Sequence, residues 1–246
     1  AGACVAAPGG APSPIVTDRP DFTESAVVVP DGSVQIEAGV TRDEAGGADA
    51  TTVGEILLRA GIRDRAELRV GAPSFLTEEY RNSSGGISRH RGFTDVSLGA
   101  KLALHAPGDS ASRAEPTVGL IVGTSFPTGT GGLQAGGPQP EAKLLLAWDL
   151  SDRLSLGGNV NWAHVDEHGG ASYAEPSASL SVGVGLTDAV GAFLEAFAFA
   201  PTYDDAPRPA YLNGGATWQL TPDVQLDARV GIGVADAPDA RFVGIG

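Results

Sequence analysis

Val224-Gln225-Leu226-Asp227-Ala228-Arg229-Val230-Gly231-Ile232-Gly233-Val234 alternates along its whole length. Val224, Leu226, Ala228, Val230, Ile232 and Val234 are apolar. The residues between them, Gln225, Asp227, Arg229, Gly231 and Gly233, are polar or small. Successive side chains of an extended chain point to opposite faces. The stretch therefore predicts a strand with one apolar and one polar face. Its length suits a tilted strand crossing a bilayer, for which about 9–11 residues suffice.

The same pattern recurs upstream. Ala178, Leu180, Val182, Val184 and Leu186 oppose a face of Ser and Gly, and Leu154, Leu156, Gly158, Val160 and Trp162 oppose Arg153, Ser155, Gly157, Asn159 and Asn161. Val96, Leu98, Ala100, Leu102 and Leu104 oppose Asp95, Ser97, Gly99, Lys101 and Ala103, and Val34, Ile36, Ala38 and Val40 oppose Gln35, Glu37, Gly39 and Thr41. About twelve such segments are expected, starting near Ser33, Val53, Ala66, Thr94, Thr117, Glu141, Arg153, Ser177, Ala189, Tyr211, Val224 and Ala240.

Composition narrows the class. The chain has 246 residues, 35 of them Gly and 17 Pro, both costly inside helices. Sixteen Lys and Arg face 30 Asp and Glu, a net charge of −14. That balance repels phosphate and excludes a nucleic-acid partner. A single Cys excludes an internal disulfide. No apolar run approaches the ~18 residues of a membrane helix, which leaves strands free to span.

The connections alternate in length. Residues 63–65, 151–152, 187–188 and 221–223 read as tight turns, and 42–51, 75–92, 128–140, 166–176 and 201–209 as long loops. The stretch from His105 to Glu115 breaks the rule by being long where a tight turn is due. Short periplasmic turns and long outer loops are the topology of an outer-membrane barrel. An apolar face fits a soluble sandwich core equally well. Three features favour the barrel: a polar face of Gly, Ser, Asn and Thr with only two Lys in the chain, acid gathered in loops, and Trp148, Trp162 and Trp218 near strand ends.

The expected fold is all-β: a transmembrane antiparallel barrel over residues 33–246, preceded by a flexible N-terminal segment, 1–32. Inward positions along the expected lumen are Glu37, Glu55, Arg59, Glu67, Arg69, Asp95, Lys101, Glu141, Lys143, Asp149, Arg153, Glu195, Asp227 and Arg229. They either line a solute path or knit the interior together. No catalytic residue, metal site or cofactor is expected. His164 and His168 lie four apart but not on a helix, no Ser follows a His by two residues, and neither a Gly-x-Ser-x-Gly elbow nor a phosphate loop occurs. The acidic clusters Asp204-Asp205 and Asp236 to Asp239 read as solvated charge, and Cys4 as an incidental residue of the leading segment. The expected partners are a lipid bilayer and a small solute.

Thr17-Asp18-Arg19-Pro20-Asp21-Phe22-Thr23-Glu24-Ser25, followed by Val34-Gln35-Ile36-Glu37-Ala38-Gly39, resembles the MetA-pathway of phenol degradation family, outer-membrane barrels of Gram-negative bacteria. Further echoes are Gly92-Phe93-Thr94-Asp95, Ser125-Phe126-Pro127-Thr128-Gly129, Ser151-Asp152-Arg153, Gly191-Ala192-Phe193-Leu194-Glu195 and Asn213-Gly214-Gly215. The resemblance implies a barrel, export after removal of a signal peptide, and passage of small organic solutes, aromatic ones by the family's name. The chain departs in ending Arg241-Phe242-Val243-Gly244-Ile245-Gly246, without a terminal aromatic. Asp18, Arg19 and Asp21 either cap the strand start or tuck into the mouth as a plug that pairs with Arg59 or Arg69.

Overall fold

The computed structural model describes residues 14–81, 86–108, 111–202, 206–237 and 239–246. Cys4, Asp204 and Asp205 lie outside the described residues. Fourteen strand segments follow one another: β1 (Val34–Ala45), β2 (Ala48–Gly61), β3 (Ala66–Gly71), β4 (Phe75–Arg81), β5 (Ile87–Phe93), β6 (Val96–His105), β7 (Thr117–Phe126), β8 (Gln139–Asp149), β9 (Leu154–Asp166), β10 (Ser172–Gly185), β11 (Val190–Phe199), β12 (Ala210–Thr221), β13 (Val224–Ala235) and β14 (Arg241–Ile245). All pair antiparallel with their neighbours, and β1 pairs with both β2 and β14, so the sheet closes on itself.

The wall has twelve strands. β2 pairs with β3 along one half and with β4 along the other, so β3 and β4 are one interrupted strand. β5 and β6 make the next, pairing with β4 and β3 in turn. An even count puts the start of β1 and the end of β14 at the same rim. Closure removes the exposed strand edges that an open sheet would leave.

Two expected long loops are instead strand. The stretch 42–51 is a hairpin, because Gly46 and Gly47 both take positive φ, 57° and 81°, and turn the chain in two residues. Pairing then runs without a gap from Thr41↔Thr52 to Ala45↔Ala48, so β2 begins at Ala48 rather than Val53. Within 75–92, β4 and β5 pair with each other from Phe75↔Phe93 to Arg81↔Ile87. Their Glu78, Glu79, Arg81, Arg89 and Arg91 conceal the strand pattern. Likewise β10 begins at Ser172, inside the expected loop 166–176.

Burial is inverted relative to a water-soluble fold. Val34 is 70% exposed, Ile36 66%, Leu194 65% and Val230 60%, whereas Arg59, Glu67 and Lys101 are fully buried. Apart from Pro20, the buried apolar side chains among the described residues are only Ala26, Val29, Ile121, Leu145, Ala206 and Ala240. A continuous apolar belt of this extent marks a surface made for lipid. This excludes the soluble sandwich. Aromatic residues border the belt: Trp148 and Trp218 sit near the termini rim, while Phe75 and Phe93 meet edge to face, 5.5 Å between centroids, on the opposite side.

Leu194 lies midway along β11, paired with Val182 and Gly214. Leu194→Arg is expected to cost about 2–4 kcal/mol, the penalty for a cation at mid-depth on a lipid-facing strand. Denaturant titration of the protein folded into vesicles measures it.

Candidate functional site

Residues 14–33 run inside the barrel. The segment starts at the termini rim, where the Ile15 amide donates to the Pro222 carbonyl at 2.8 Å. It rises to Phe22, which stacks on Phe197 with ring centroids 4.5 Å apart. It returns to the rim, where Ser33 and Gly61 are hydrogen-bonded at 3.0 Å and β1 begins. The lumen makes room for it with glycine. A Cβ at Gly39 would collide with the Arg19 guanidinium, one at Gly61 with the Pro30 carbonyl, and one at Gly119 would lie 3.1 Å from the Ala26 carbonyl.

Having no strand partner, the segment must find other acceptors for its backbone amides. Three wall glutamates supply them. Glu37 accepts from the Asp18 and Arg19 amides at 3.1 Å. Glu195 accepts from the Phe22 amide at 2.9 Å and from the Thr23 amide and hydroxyl at 2.6 Å. Glu67 accepts from the Val29 amide at 2.7 Å. Cations hold the carbonyls: Arg59 donates to Val16 and Val27 at 3.0 and 3.1 Å, and Arg229 to Pro20 at 3.0 Å.

Asp18 is the centre of the charge network. It accepts from Lys101 Nζ at 2.7 and 2.9 Å and from Arg69, and lies 3.5 Å from Arg59. Arg59 in turn donates to Glu67 at 2.8 Å and to Glu37 at 2.8 Å. Three carboxylates (Asp18, Glu37, Glu67) thus face three cations (Arg59, Arg69, Lys101), and the buried cluster is neutral. Burial acts to raise the Asp18 pKa, but Lys101, Arg59 and Arg69 together hold its carboxyl well below the usual range. Asp21 has no such partners. Burial, reinforced by the charge of Glu195, pushes it up to about 8, so it is protonated at neutral pH.

The other inward positions separate by depth. Arg19 bonds Glu55 at 2.7 Å and Asp227 at 3.4 Å. Lys143 lies 3.3 Å from both Glu24 and Glu141. Asp95 sits at the break between β5 and β6 and accepts from the Gly129 and Ala135 amides at 2.7 and 2.9 Å, holding the loop after β7 inward. Asp149 and Arg153 lie exposed at the termini rim. Two apolar features lie outside the charged inward set. Ile121 and Leu145 face inward and pack on Ala26. Phe197, Phe199, Tyr211 and Phe242 also face inward and make an aromatic track with Phe22. In the run Phe193-Leu194-Glu195-Ala196-Phe197-Ala198-Phe199 the rings share the face of Glu195, and that spacing is the signal that places them inward.

Above the segment, away from the termini rim, the lumen opens into a cavity of about 390 Å³, floored by Asp18, Arg19, Asp21, Phe22 and Glu24. Glu37, Glu55, Glu141, Lys143 and Arg229 border it.

An inside-out antiparallel barrel with a charged, occupied lumen defines a transmembrane β-barrel of porin-like architecture. Solved structures share the architecture. The COG4313 outer membrane channel from Pseudomonas putida F1 superposes with a TM-score of 0.63 at 16% identity, covering 89% of this chain and 96% of that one. A NanC porin gives 0.53 at 12% identity, covering 86% and 98%. The chain belongs to the family described as "Putative MetA-pathway of phenol degradation", whose sequence profile matches residues 17–246. No curated protein matches it.

Breaking a buried, paired charge cluster costs about 3–5 kcal/mol, and Asp18→Asn is expected to lower unfolding stability by that order, read as a shift in the guanidinium midpoint. Asp21 acts oppositely with pH. Its folded pKa of about 8 exceeds the unfolded 3.8, so its contribution is full below about pH 4 and is lost as pH rises through 8. Asp21→Asn should flatten the fall in stability over that window, measured by thermal unfolding at pH 5, 7 and 9.

Proposed function

We propose that the protein is an outer-membrane channel that passes small organic solutes, aromatic ones included, through a narrow charged lumen, and that residues 14–32 plug its termini side. The plugged side is periplasmic on this reading, and the long loops face outward. The observation that carries the reading is the open cavity meeting the segment from the far side, with Phe22 and Phe199 of the aromatic track in its lining. The cavity is large enough for a small organic molecule. Apolar rings set among charges suit a solute with an aromatic body and a polar handle.

The neighbours support the same reading. The Pseudomonas putida protein is an outer membrane channel and the NanC protein a porin. The charged positions then divide by role. Glu55, Glu141 and Lys143 stand along the solute path, while Glu37, Arg59, Glu67, Arg69, Lys101 and Arg229 fasten the plug.

Flux into liposomes that hold the purified protein tests the proposal, comparing a neutral sugar, a small acid and a small aromatic. Aromatic solutes are expected to enter faster than the sugar. Deleting residues 1–25 is expected to raise single-channel conductance several-fold. Unchanged conductance in a variant that still shows the heat-dependent gel shift of a folded barrel would sink the plug.

A further inference from the structure

Beyond the cavity over the segment lies a second one, of about 440 Å³, walled by Phe199, Tyr211, Pro207 and Pro209. Two residues line both cavities, Glu175 and Phe199. They form the neck between the outer vestibule and the inner chamber.

Glu175 differs from the other lumen carboxylates. Glu37, Glu55, Glu67 and Glu141 each meet a cation, and Glu195 accepts four hydrogen bonds. Among the described residues, neither a cation nor a hydrogen-bond donor meets Glu175. The structure spends nothing on holding this side chain, so its role is not to knit the wall. The aromatic neighbours are also set in a particular way. The rings of Phe199 and Tyr211 stand at 87° with centroids 6.3 Å apart, making two walls of a corner.

We propose that the neck is a binding site for organic ammonium cations. The Glu175 carboxylate takes the charge, and the Phe199 and Tyr211 rings take the apolar substituents through cation–π and hydrophobic contact. Rings alone would hold a neutral aromatic, and a carboxylate alone a hydrated metal ion. The combination selects a charged nitrogen carried on an apolar body. The flux part of this inference rests on the channel reading; the binding part does not.

Phenethylammonium is the probe, with neutral 2-phenylethanol and anionic 3-phenylpropionate as matched controls. Binding is measured by calorimetry on the full chain in nanodiscs, and flux in liposomes. Phenethylammonium is expected to bind at least about fivefold more tightly than either control, the scale of one partly screened ion contact. Glu175→Gln should remove that preference. Phe199→Ala should weaken the ammonium and the alcohol together. Glu115→Gln, at the exposed His105 pair on the termini rim, should behave as the parent. Equal binding of the three probes, or a preference unaltered in Glu175→Gln, overturns the site. Preferential binding without flux of any probe upholds the site and refutes the channel. Flux of all three at equal rates, together with equal binding, upholds the channel and refutes the site.

Discussion

A stretch of chain that belongs to no strand still carries amides that must be satisfied, and inside this barrel three glutamates satisfy them. Glu37, Glu67 and Glu195 reach from different parts of the wall and grip residues 18–29 by the backbone. Hydrogen bonds of this kind are strong because the acceptor is charged. They are costly for the same reason, since each carboxylate must be ionised away from water. Two of the three are compensated by Arg59, which touches both Glu37 and Glu67. Glu195 has no cation among the described residues, and it relies on Asn213 at 2.9 Å and on the Thr23 hydroxyl. The neutral form of Asp21 beside it is part of the same solution: a second ionised carboxyl there would have nothing to balance it. The rest of the lumen follows from this arrangement. The cations gather where the segment's own acid, Asp18, adds to the negative charge, and glycines line the wall where the segment passes closest.

Alternation made the wall legible. In β13, β10, β9, β6 and β1 the odd–even pattern names the side chains that face lipid and those that face the lumen, because a strand has no other periodicity. It misses where local chemistry replaces it. Gly46-Gly47 reads as loop composition, yet two positive-φ residues in succession turn one strand directly into the next. The pair β4–β5 reads as a loop because its charged residues conceal the strand pattern. Phe197 and Phe199 share a face with the inward Glu195, so their side follows from the alternation, but an inward set chosen by charge passes over apolar residues on the same face. Depth is not legible at all. Lys101 and Asp149 both fit the inward set, but one lies at the centre of the charge cluster and the other at the rim, and only the shear of the closed sheet distinguishes them. Asp95 likewise faces inward, and it is used to hold a loop.

The segment also contributes to the closing of the barrel. β1 and β14 meet over five residue pairs, from Val40↔Ile245 to Glu44↔Arg241, whereas β9 and β10 meet over thirteen. Arg19 lies on the inside of this short seam. It bonds Glu55 of β2 on one side and Asp227 of β13 and the Ile245 carbonyl of β14 on the other. Acting as a rivet, it joins the first strands of the wall to the last through contacts that no strand pairing provides. The occupant and its container are therefore mechanically one object. Any movement that drew the segment out would unfasten one of the shortest seams of the cylinder, so clearing the bore and loosening the hoop would occur together.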